Sequence, residues 1–133
     1  MQITLSTSIL KNVLDLASRY VAKNSTLPVL QHVYIKANVD TVLFRATDME
    51  KYIDIEVPAT IDMPGTLSVD AKTLTEYVRS LDDEMVTMVI DMSKNIITLK
   101  TVSDTIKIKG LSGSEYVGIP ELQGVSHNVS ALG

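Results

Sequence analysis

Polar and apolar residues alternate over residues 1–5, Met1-Gln2-Ile3-Thr4-Leu5, which is the two-residue period of a strand. The period then lengthens. Leu10, Val13, Leu14, Ala17 and Val21 follow helical spacing, and Ser6-Thr7-Ser8 supplies hydroxyls suited to cap a helix N-terminus. A helix over about 7–22 is predicted, with Pro28 blocking any continuation because it lacks an N–H. Three strand-like segments follow. Val33, Ile35 and Ala37 alternate with Tyr34 and Lys36, 42–46 is short and apolar, and Ile53, Ile55 and Val57 alternate with Tyr52, Asp54 and Glu56. Such alternation predicts antiparallel strands with one wet face.

After Pro64-Gly65 the pattern starts again. Residues 66–69 read as a strand, Asp70 as an N-cap, and Ala71, Leu74, Val78 and Leu81 as the apolar stripe of a helix over about 71–81. Strands are expected at 85–91, 96–102 and 105–109. From Leu111 onward the chain is rich in Gly and Ser and reads as a covering loop and a tail. The order strand, helix, three strands therefore occurs twice, with a period of about 62 residues that sets Thr4-Leu5-Ser6 against Thr66-Leu67-Ser68. Two such βαβββ repeats predict an α+β domain, its helices side by side on antiparallel sheet.

Composition narrows the chemistry. The 133 residues suffice for one domain with a real core. With one Phe and no Trp, Ile, Val, Leu and Met are expected to fill that core. Cysteine is absent, which excludes disulfides, zinc–thiolate sites and cysteine nucleophiles and fits a reducing compartment. No secretion signal or membrane-length apolar run is visible, so a cytoplasmic location is expected. The net charge of −4 lacks the basic excess of a tight DNA binder. Any nucleic-acid contact must then come from a local stripe.

Two such stripes exist. Lys11, Asp15, Arg19 and Lys23 follow one another at four-residue steps, and Lys72, Glu76 and Arg79 share a face of the second predicted helix. Both are net positive. Each can be a solvated helix face, or a set of weak phosphate contacts that salt would dissolve.

Several segments then resemble one family. Thr26-Leu27-Pro28-Val29-Leu30 is similar to the TLPxL segment of bacterial DNA sliding clamps, the β subunit of DNA polymerase III. Ala46-Thr47-Asp48-Met49-Glu50 resembles the family's [GA]TDxE turn, and Leu67-Ser68-Val69-Asp70-Ala71-Lys72 its strand-to-helix junction. Glu115-Tyr116-Val117 departs from the segment that closes the first domain, although Pro120 remains. The resemblance covers about 1–123 and implies a clamp N-terminal domain there, with 124–133 a tail or the start of a second clamp domain.

The resemblance implies three such domains per subunit and two subunits per ring, with helices lining the hole and sheets forming the rim. It assigns Lys72 and Arg79 to sequence-independent double-stranded DNA, with Lys11, Arg19 and Lys23 beside them. Asn24 stands where a basic residue often occurs and would offer a hydrogen bond without charge. It also implies a subunit interface on Thr73, Glu76 and Tyr77 of the second helix and Ile106 and Ile108 of the last strand. Those two isoleucines can equally be inward core residues, while Lys107 and Lys109 guard the strand edge. Polymerase and clamp loader would bind through domains not present in this sequence.

No phosphate-binding loop, dinucleotide fingerprint or metalloprotease motif occurs. His32 and His127 are far apart in sequence and read as surface residues. Asp48 with Glu50 reads as a turn rather than a catalytic pair, and Asp82-Asp83-Glu84 lacks calcium-loop spacing. The expected function is thus a non-catalytic, DNA-encircling processivity domain that needs no cofactor or metal. A stand-alone protein-interaction module of the same fold is the alternative, favoured by the acidic charge. A small hydrolase would have only scattered carboxylates to work with.

Overall fold

The computed structural model describes residues 2–23 and 28–114. In chain order the elements are β1 (Gln2–Ser6), α1 (Thr7–Ala17), a 3-10 turn (Pro28–Gln31), β2 (His32–Ala37), β3 (Thr41–Thr47), β4 (Tyr52–Pro58) and β5 (Thr60–Ile61). Then come β6 (Gly65–Asp70), α2 (Ala71–Arg79), β7 (Met85–Asp91), β8 (Ile96–Lys100), β9 (Thr105–Lys109) and β10 (Leu111–Ser112).

These form two five-stranded antiparallel sheets, ordered β5-β1-β7-β8-β9 and β10-β6-β2-β3-β4. The repeat is therefore real, and its halves are interlocked. Each three-strand meander pairs with the first strand of the other repeat: β1 lies beside β7, and β6 beside β2. The short strands β5 and β10 sit at equivalent edges and were not foreseen. Aligned on their helix starts, Thr7 and Ala71, the halves are offset by 64 positions rather than 62.

One core joins the layers. Alternating strand residues such as Ile53, Ile55 and Val57 on β4 and Val86, Met88 and Ile90 on β7 point inward. The two helices add Leu10, Val13, Leu14 and Ala17, and Ala71, Leu74 and Val78. Phe44, the single Phe, is fully buried on β3. Methionine supplies less than expected: Met88 is buried, whereas Met63, Met85 and Met92 are exposed.

The one-wet-face expectation fails at the centre of the second sheet. Tyr34 and Ser68, register partners on β2 and β6, are buried although they point away from the main core. Gly113, just after β10, lies against Tyr34 and Thr66 on that face.

Both helices are shorter than their apolar periodicity. α1 stops at Ala17, where the Ser18 N–H reaches the Leu14 carbonyl and the Ser18 hydroxyl donates to the Asp15 carbonyl at 2.9 Å. The next N–H groups, of Arg19 and Tyr20, take the tighter three-residue span to Leu16 and Ala17. Pro28 therefore opens the 3-10 turn and does not end the helix. Val21 still packs on the core from the turn, which is why the spacing ran on past the helix end. Leu81 does the same after α2, fully buried beyond the last helical residue.

The β3–β4 turn explains its sequence. The Asp48 carboxylate accepts from the backbone N–H groups of Glu50 and Lys51, both at 2.9 Å, and Met49 takes a positive φ of 78°. Asp48 is a turn former, as read from the sequence.

Candidate nucleic-acid interface

α1 and α2 pack against each other; Lys11 lies on α1, Lys72 and Arg79 on α2, and Arg19 and Lys23 on the segment that follows α1. A groove of about 450 Å³ opens between the segment following α1 and the exposed side of α2. Its walls bring together Lys23, Lys72 and Arg79, with Gln31, Asp70 and Glu76 among them. Lys72 is exposed one residue into α2, and Arg79 is exposed at its end. Lys23 is placed by the fold-back after α1, where the Gln31 amide donates to the Lys23 carbonyl at 3.5 Å and the Ala22 N–H bonds the Leu30 carbonyl at 2.8 Å.

The stripe expected on α1 does not exist as a helix face. Only Lys11 and Asp15 are helical; Arg19 and Lys23 lie beyond Ala17. Lys11 is half-buried and Arg19 exposed, and neither lines the groove. Asn24 lies outside the described residues. Gln31 was missed because its approach depends on the loop closure, which leaves no mark in the local sequence.

The two acidic groups differ in availability. Asp70 is committed to capping α2, accepting from the Thr73 N–H and hydroxyl, both at 2.9 Å. Glu76 is exposed. Asp15 reaches across the helix pair to Arg79 at 2.7 Å, an ion pair between side chains that remain 44% and 60% exposed.

The residues assigned to a subunit interface separate. Glu76 and Tyr77 are exposed on α2, while Thr73 is held by Asp70. Ile108 is buried in the core and Ile106 is half-buried against it, so both point inward. β9 nonetheless ends its sheet among the described residues, with Lys107 and Lys109 exposed.

The remaining candidates have structural roles. His32 is half-buried, and its Nδ1 lies 3.1 Å from the Ser68 hydroxyl. Ser68 is fully buried, so this pair offers no nucleophile to a substrate. Asp83 accepts from the Ser103 hydroxyl at 2.7 Å and its N–H at 3.2 Å, tying the β8–β9 turn to the residues after α2. Hydrogen bonds from Thr101 and Ser103 hold its carboxyl below the usual aspartate value. His127 lies outside the described residues, as do 115–120 and the tail at 124–133.

This pairing of two helices on two antiparallel sheets is the sliding-clamp fold. The chain superposes on the DNA polymerase sliding clamp from Bacillus subtilis with a TM-score of 0.85 (22% identity, 92% of this chain, 34% of that one). Against the DNA polymerase sliding clamp from Caulobacter crescentus the TM-score is 0.82 (26% identity, 93% of this chain, 33% of that one). Residues 1–120 match the family described as DNA polymerase III beta subunit, N-terminal domain, and the chain belongs to that family. A beta sliding clamp of Synechocystis is 29% identical over 123 residues, covering 87% of this chain and 32% of the relative. The chain thus spans about a third of the length of the curated relatives it matches.

Proposed function

We propose that this chain forms the first domain, about residues 1–123, of a ring that encircles double-stranded DNA. In that role it tethers a replicative polymerase to its template and performs no chemistry itself. The observation that carries this reading is the convergence of Lys23, Lys72 and Arg79 on one groove of the paired-helix face of an acidic protein. Three cations, two on α2 and one on the segment after α1, give weak contacts that carry no sequence information, as sliding requires. Lys11 and Arg19 add charge outside the groove, and Asn24 adds a neutral hydrogen-bonding group.

Ring closure would use the exposed Glu76 and Tyr77 of α2 and the backbone edge of β9. Ile106 and Ile108 would stiffen that edge from within, and Thr73 would act through the cap of α2. Polymerase and clamp loader would bind through domains beyond this chain, in the cytoplasm.

The test is topological. The full-length subunit, loaded by its cognate loader onto a nicked circular plasmid, is passed through a gel-filtration column in high salt. Retention on the circle and loss after linearisation are expected. Equal loss from both would overturn encirclement and leave the stand-alone interaction module as the better account. Sedimentation of the 133-residue chain adds a second measurement: a species near six times 14.6 kDa would mean the lone domain closes a ring by itself.

A further inference from the structure

We infer that Asp15 is a built-in attenuator of DNA contact, holding Arg79 in an ion pair that phosphate must displace; this deepens the proposed clamp reading and rests on it. The two side chains meet at 2.7 Å across the helix pair, and both remain largely open to solvent. They lie 64 positions apart, the offset of the two repeats, so each is the ninth residue of its helix. The pair therefore straddles the axis relating the halves, at one station where the repeats carry opposite charges.

That placement has a chemical consequence. Arg79 is the one cation of the groove shown bound to a carboxylate; no ion pair is found for Lys23 or Lys72 among the described residues. An exposed ion pair is weak and easily exchanged. A guanidinium so held stays charged and correctly placed, yet must give up a partner before it meets phosphate. The inner face would then grip DNA less than its count of cations implies, which favours movement along the duplex.

The experiment measures binding of the full-length subunit to a short fluorescent duplex by anisotropy over a series of salt concentrations. Asp15→Asn keeps the shape and removes the charge. It is expected to tighten binding several-fold at low salt and to steepen the logarithmic salt dependence by about one unit per copy of the domain. In an Arg79→Gln background the same substitution should do nothing, because the two act as one coupled pair. A gain that persists without Arg79 would show a general charge effect and overturn the attenuator. No gain in either background would overturn it too.

Lys72→Glu separates this from failure of the underlying reading. If Lys72→Glu weakens binding while Asp15→Asn does not strengthen it, the inference alone fails. If neither alters binding, the helix face does not contact DNA and both fail. Urea unfolding of each variant confirms that the fold is retained.

Discussion

Ser6 and Asp70 occupy the same station in the two halves of the molecule, each preceding a helix and each accepting from the backbone N–H three residues on. The bonds are unequal. Ser6 accepts from Ile9 at 3.4 Å, whereas Asp70 accepts from Thr73 at 2.9 Å and takes the Thr73 hydroxyl as well. Asp70 also brings a negative charge to the positive end of α2. Asp70→Ala is expected to cost about 1–2 kcal/mol, and Ser6→Ala about half of that or less. Urea midpoints at unchanged slope would measure both. Equal losses would show that bond length and charge do not distinguish the caps.

Gly110 is required by proximity, not by backbone twist. A Cβ there would lie 2.4 Å from the Ser68 carbonyl oxygen and 3.2 Å from a Val69 methyl. Gly110→Ala must push the β9–β10 connection away from β6, and that strand cannot yield because it pairs with β2 on its other side. The expected penalty is about 1–3 kcal/mol, read as a fall in Tm of roughly 3–10 °C. An unchanged Tm would mean that β10 contributes nothing to stability.

Tyr34 makes the alkaline limit of stability informative. Burial pushes its phenol above the ordinary value of 10.0, opposed by the nearby Arg45 charge and a hydrogen bond with Thr66. With the folded value raised, the unfolded chain loses this proton first. The contribution is therefore complete below the unfolded value and is lost as pH rises through the folded one. Urea unfolding at increasing pH should show stability falling above 10.0, and less steeply in Tyr34→Phe. Parallel curves for the two proteins would mean that Tyr34 ionises as freely folded as unfolded.

Much of this fold could be read from the chain because its strands obey a simple rule: β4 and β7 bury every second residue, and their boundaries were visible to the residue or nearly so. Reading faltered where tertiary contacts replaced local ones. Val21 and Leu81 kept helical spacing while sitting in turns, because the core selects apolar residues whatever backbone presents them. Tyr34 read as solvent-facing, since nothing local to β2 shows that Gly113 will lie against it. At the candidate site, Lys72 and Arg79 could be placed from periodicity within one helix. The approach of Lys23 and Gln31 depends on a loop, and the pairing of Asp15 with Arg79 on the packing of two helices distant in sequence.

The exchange of first strands between repeats sets an order of events during synthesis. β2, β3 and β4 can form a meander as soon as they leave the ribosome, but β1 has no long partner until residues 85–91 follow. At about 5–20 residues per second, β1 waits several seconds without its long hydrogen-bonding partner. Thr4 then finds Thr87, their hydroxyls 3.1 Å apart, and β1, made before β7, is among the last strands to be paired along its length.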